Sequence, residues 1–258
     1  MANYIDRELL CEAYTHLDIE THNDANNREK LEADLREFIL PRARFIFNEE
    51  VELRFEFDEG SLKTKIAILG SAAALISSYG GFRQGVDQLA RDAVVLAQAA
   101  NLEVIFKTRT QLCDRIRIEK RSGVFGRINE LLRTAQELRD VVGQHRFPNT
   151  ERDLDLASLN VEALTTWYND VDKLLHKLES DETKSCVAAG LLEELERFPE
   201  QLPWVEDAKS DSFRARMLKE DVDLAARVDA IAARYARLLA LTKEQLLRVV
   251  KASAPRNA

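Results

Sequence analysis

Arg139 and His145 are the two side chains whose types and spacing best suit chemistry, and Asp140 stands beside the arginine. An imidazole that titrates near neutrality can take a proton from a ribose 2′-hydroxyl or return one to a leaving oxygen. A guanidinium can stabilise the charge that builds on a phosphorane-like transition state. Asp140 would orient either group, and no metal is needed. Geometry sets a condition, because residues six apart on an unbroken helix diverge by about 120°. The pair can meet only if the helix ends between them, or if two copies face one another. Gly143 is the expected break, since glycine tolerates a left-handed backbone at a helix C-terminus. A plainer reading is that Arg139 and His145 sit against the negative end of the helix dipole, with Arg139 bridging to a nearby carboxylate such as Glu137.

The charge distribution around this pair gives it a context. The chain of 258 residues has a net charge of −8, with 37 basic and 45 acidic side chains, so it is not a basic nucleic-acid coat. Residues 101–147 nevertheless hold ten basic and six acidic side chains, a local +4. Arg115, Arg117, Lys120, Arg121, Arg127, Arg133 and Arg146 are the candidate RNA contacts within or beside this tract, because arginine forks match phosphate oxygens. The competing reading is that these cations pair with the acidic remainder of the chain.

The segment Glu137 to Arg146, ELRDVVGQHR, resembles the R-x(4–6)-H signature of the HEPN superfamily, with five residues between Arg139 and His145 and a polar residue after the arginine. The likeness is close over those residues and loose over 82–180, and it leaves out the hairpin and the C-terminal third. It implies a helical bundle acting as a homodimer. It also implies a metal-independent endoribonuclease of the toxin, abortive-infection or CRISPR-associated kind, or a binding module that has lost the activity. Arg139 and His145 would then be catalytic, with Asp140 assisting. The alternative from a different class is a non-enzymatic helical scaffold or regulatory protein that binds a helical protein partner.

The elements that must position these residues follow from periodicity. The expected fold is mainly α, a helical bundle with a small β-hairpin near the N-terminus. Leu31, Leu35, Phe38 and Ile39 have helical spacing over 27–40, and Pro41 reads as a stop. Val51, Leu53, Phe55 and Phe57 alternate with charged residues, and Leu62, Thr64, Ile66 and Ile68 alternate with lysines after a turn at Asp58-Glu59-Gly60-Ser61. Residues 50–69 are therefore a hairpin, which needs helices or a further strand for support. Helices are expected at 71–79, 82–100, 102–120, 124–142, 161–179 and 186–197. One or two long ones follow at 217–252, carrying Leu224, Val228, Ile231, Tyr235 and Leu238 on one stripe. The stretches 146–157 and 180–185 read as exposed connectors. The segmentation is 1–69, 70–180 and 181–258.

Other classes find no support. The most apolar run, Ile66 to Tyr79, is short of the roughly 20 residues a bilayer span needs, and reads as buried core. The N-terminus lacks the pattern of a signal peptide, so the expected location is cytoplasmic. Cys11, Cys113 and Cys186 are scattered, and His16, His22, His145 and His176 do not stand at zinc spacing. No metal or cofactor is expected. Tyr79 to Gly85 has glycines but no P-loop lysine, and reads as a turn between helices.

Overall fold

A computed structural model describes residues 8–20, 24–47, 51–58, 61–144, 151–205 and 222–252. The elements in chain order are β1 (Glu8–Leu17), α1 (Ala25–Phe47), β2 (Glu52–Asp58), β3 (Leu62–Gly70), α2 (Ala72–Ser77), α3 (Phe82–Thr108), a 3-10 turn (Leu112–Asp114), β4 (Arg115–Arg121), α4 (Gly123–Gly143), α5 (Glu151–Lys177), α6 (Asp181–Glu196) and α7 (Val222–Ala252). The fold is mainly α with a small antiparallel sheet near the N-terminus. Of the expected hairpin turn, Glu59 and Gly60 lie outside the described residues, as does His22.

The chain forms two compact units. A sheet unit comprises Met1–Asn129 with Leu178–Thr183, and a helical unit comprises Glu130–Lys177 with Lys184–Ala258. This division differs from the segmentation read from the sequence, because two further strands join the hairpin and bring residues up to 121 into one sheet.

In the sheet unit the strand order is β2-β3-β1-β4, antiparallel throughout. The hairpin β2–β3 forms as expected, with Phe55 opposite Ile66 and Leu53 opposite Ile68. Its support is β1, which pairs with β3 on one side and β4 on the other. Neither β1 nor β4 was expected. β1 is central: Cys11, Ala13, Thr15 and Leu17 are buried at alternate positions, and Leu10 and Glu12 are buried as well, so polar and apolar residues are mixed among its inward positions. β4 lies where a helix over 102–120 was expected. α3 stops at Arg109, which takes a left-handed conformation (φ 53°), and Thr110 N–H reaches back to the Ile105 carbonyl. This closure usually falls to glycine, so the sequence held no glycine stop signal there. Beyond it Arg-Ile-Arg-Ile-Glu-Lys-Arg runs as a strand.

α1 also departs from expectation, continuing through Pro41 to Phe47. Leu31, Leu35, Ile39, Ala43 and Phe47 form one buried row at four-residue spacing, and the Phe47 and Phe125 rings lie 6.3 Å apart. A proline inside a helix costs about 3 kcal/mol, and burying Ala43 and Phe47 returns roughly as much. The apolar Ile66–Tyr79 stretch is the end of β3 and α2, largely buried, with Ser71 Oγ capping α2 by accepting from Ala74 N–H. No helix among the described residues is long and apolar enough to cross a membrane.

The helical unit holds the rest of α4, then α5, most of α6, and α7. Trp167 on α5 is buried and donates from its indole N–H to the Leu131 carbonyl at 2.9 Å. α7 packs on α5, burying Val228, Tyr235, Leu239 and Leu246. The Tyr235 hydroxyl donates to the Pro199 carbonyl at 2.7 Å. Residues 151–157 and 181–185, expected as connectors, are the first turns of α5 and α6, where Leu154, Ala157 and Thr183 are buried. The remainder of the first connector, 146–150, lies outside the described residues.

Candidate interaction surface

Arg139 is drawn inward rather than into an open pocket. Its Nη1 lies 3.8 Å from Glu194 Oε2 and its Nε 3.7 Å from Asp140 Oδ1. Glu194 is 4% exposed, and Arg197 holds its other oxygen at 2.9 Å. A buried carboxylate without compensating charge is expensive, so Arg139 has work to do within the helical unit. Gly143 does not supply the expected left-handed break. The described residues with positive φ are Arg109 and Gly123 alone, and α4 runs unbroken from Arg139 to Gly143. His145 and Arg146 lie outside the described residues.

The candidate RNA contacts are scattered and mostly engaged. Arg133 is held by Glu130 at 2.6 Å and Glu137 at 2.5 Å. Arg121 bonds Glu12 at 2.7 Å and Glu119 at 2.5 Å, and Arg117 also pairs with Glu119. The hydrogen bond from Arg121, with help from Arg117, holds the Glu119 carboxyl below the usual carboxylate range. Glu12 is buried and lies 3.6 Å from Lys65 as well. Lys120 donates to Gln98 Oε1 at 3.2 Å, and Arg127 is exposed on α4. Arg115, Arg117, Lys120 and Arg121 share β4, and Arg127 and Arg133 share α4.

β4 borders a groove of about 240 Å³, lined by Gln98, Asn101, Leu102 and Ile105 of α3 and by Arg115, Ile118 and Lys120 of β4 itself. The volume falls below the range usual for small-molecule sites. A buried clamp fixes its floor: Asn101 Oδ1 accepts from the Thr15 hydroxyl at 2.7 Å, and its Nδ2 donates to the Glu119 carbonyl at 2.7 Å. The helix is thereby bonded to both β1 and β4. A bulge shapes the rim. His16 and Leu17 face Arg117 and Arg115, so Ile116 is an extra residue on β4. The bulge brings Arg115 to the same side as Ile118 and Lys120. The Arg115 Nε is buried and has no acceptor among the described residues.

Beside the groove α3 exposes an apolar stripe. Val95, Leu102 and Phe106 fall within about 40° of one another around the helix and are 61%, 55% and 73% exposed. Ile116 and Ile118 on β4 are exposed as well. The opposite edge of the sheet is dressed differently. On β2, Arg54 pairs with Glu52 at 2.7 Å, and the Arg36 guanidinium lies 5.0 Å from the Phe55 ring centroid. Sequence reasoning missed Gln98, Asn101, Leu102, Phe106 and Ile118. The available signal was the second stripe of α3, on the side away from Leu89, Ala93 and Leu96.

Among the described residues no three His, Cys, Asp or Glu side chains converge as metal ligands would. His16 Nε2 is 2.7 Å from Ser61 Oγ, and His176 is an exposed residue of the last turn of α5 beside Asp172. Burial pushes the Cys11 thiol up, and a hydrogen bond to Asp114 raises that of exposed Cys113, so neither is tuned as a nucleophile. No family model, no curated protein and no solved structure matches the chain.

Proposed function

We propose that this chain is a non-enzymatic interaction protein that binds an extended segment of a partner along the open edge of β4. The observation that carries the reading is the contrast between the two edges of one sheet. At β2 the Arg36 guanidinium of α1 covers Phe55, and Arg54 pairs with Glu52. β4 leaves Ile116 and Ile118 exposed beside Leu102 and Phe106. An edge strand offers a row of backbone donors and acceptors, and strand addition turns that row into affinity while side-chain pockets supply specificity. The commitment of Arg139 to Glu194 supports a structural role for that arginine.

The test is selection of binders from a random peptide library on immobilised protein, counter-screened on Ile118→Asp. Enriched peptides should bind wild type, lose binding to the variant, and protect backbone amides of 115–121 from hydrogen exchange. Failure to enrich, or protection confined to another surface, overturns the proposal. A parallel incubation with RNA in EDTA should leave the RNA intact. Cleavage that His145→Ala abolishes would restore the nuclease reading and overturn the non-enzymatic one.

A further inference from the structure

The β4 edge has a chemistry specific enough to name its occupant. β4 carries four cations, Arg115, Arg117, Lys120 and Arg121, against one anion, Glu119. On the side that α3 covers, Arg115 and Lys120 flank Ile118 around the groove. On the other side Arg117 and Arg121 are already met by Glu119, and Arg121 by Glu12 as well, so Arg115 and Lys120 are the cations left to a partner's carboxylates. The buried Nε of Arg115 lacks an acceptor among the described residues, and a buried donor left unpaired costs on the order of 1–3 kcal/mol. Resting on the edge-binding reading above, we infer that the partner segment is an acidic strand with an apolar side chain at its centre. That side chain lies on Ile118 and Leu102, and carboxylates to either side reach Arg115 and Lys120.

A second copy of this chain is a poor occupant. Two β4 strands paired antiparallel about Ile118, with the Ile116 bulge kept, would set Arg115 of each against Lys120 of the other on the side that α3 covers. Like charges directly opposite in a sheet are destabilising. An acidic strand meets the same positions with opposite charge, and the preference should weaken as salt screens it.

The experiment uses the full chain and three synthetic peptides matched in length to β4. Each has a central isoleucine, and its flanking positions are glutamate, glutamine or lysine. Binding is read by fluorescence anisotropy at low and high salt. The glutamate peptide should bind at least tenfold tighter than the glutamine peptide at low salt, and the lysine peptide should not bind. Lys120→Gln, an exposed change, should narrow the glutamate preference, and Arg115→Gln should narrow it further. Ile118→Asp should abolish binding. Equal affinity of the glutamate and lysine peptides overturns the acidic partner but leaves edge binding standing if the library peptides still protect 115–121. Failure of all three peptides together with failure of the library overturns both. A concentration-dependent dimer that Ile118→Asp dissolves, seen by light scattering, also overturns the inference, since it would put a second copy on the edge.

Discussion

The sheet unit and the helical unit handle buried polar groups in different ways. In the sheet unit the polar groups form the joints. Asn101 bonds α3 to two strands, and Glu12 is held between Lys65 and Arg121. In the helical unit apolar stripes do most of the holding, with a few polar ties such as Trp167 to Leu131, Tyr235 to Pro199, and buried Glu194 between Arg139 and Arg197. The difference follows from architecture. A sheet must place its helix in one register over several strands, which directional bonds specify. Helices pack by broad apolar faces that tolerate small slips. The sheet unit should therefore be brittle toward loss of a polar atom, and the helical unit toward loss of volume.

The largest expected effect is on volume. Trp167→Ala should cost roughly 4–5 kcal/mol, chiefly from the cavity it leaves. Hydrogen exchange should show protection falling first in α5 and α7; uniform loss across both units would break the comparison. Gly123→Ala comes next, at roughly 3–4 kcal/mol. Its φ is 54°, and a Cβ there would lie 2.0 Å from the Leu9 carbonyl oxygen. Gly143 at the far end of the same helix has nothing within 4 Å of a built Cβ. Gly143→Ala should instead stabilise by about 0.5–1 kcal/mol, and urea titration of both variants checks the pair.

Asn101→Leu keeps the volume and removes the clamp. It should cost about 2–3 kcal/mol, because the Glu119 carbonyl and the Thr15 hydroxyl lose their partner together. A neutral result in chemical denaturation would show that the sheet unit is not governed by its polar joints. Tyr235→Phe removes a single tie and should cost only about 1 kcal/mol by the same measurement. The smallest effect is on acid tolerance. The Glu119 carboxyl is depressed in the folded chain, so its stabilisation is present above the ordinary carboxylate value near 4.3 and is lost as pH falls through the lower folded value. Glu119→Gln should flatten that part of the acid unfolding curve for β4 amides, and a curve identical to wild type would remove Glu119 as an acid-sensitive joint.

The sequence disclosed elements whose periodicity matched a one-sided burial. β2 and β3 alternate cleanly, and the end of α4 and most of α5 carry single stripes, so each was visible. β1 was hidden because polar and apolar residues are mixed among its inward positions. β4 was hidden because Ile116 and Ile118 among arginines fit an exposed helix as well as an edge strand, and because Arg109 ends α3 without a glycine. Pro41 misled because a local penalty was outweighed by the burial of Phe47, a tertiary effect. The interaction surface was partly legible. The basic residues of β4 stood out by composition, but the same count suggested a phosphate partner. Arg117 and Arg121 are already met by Glu12 and Glu119, and only the fold separates these engaged cations from Arg115. The Arg139 pairing with Glu194 spans 55 residues of chain, beyond what local spacing can reveal.

One buried carboxylate also joins stretches far apart in the sequence. Glu8, at the start of the first strand, accepts the backbone N–H groups of Glu179 and Ser180 at 3.0 and 3.1 Å. Those donors lie 171 and 172 residues further along the chain, beyond every strand of the sheet. The first strand thus fastens the returning 178–183 stretch to the sheet unit by two charge-assisted bonds.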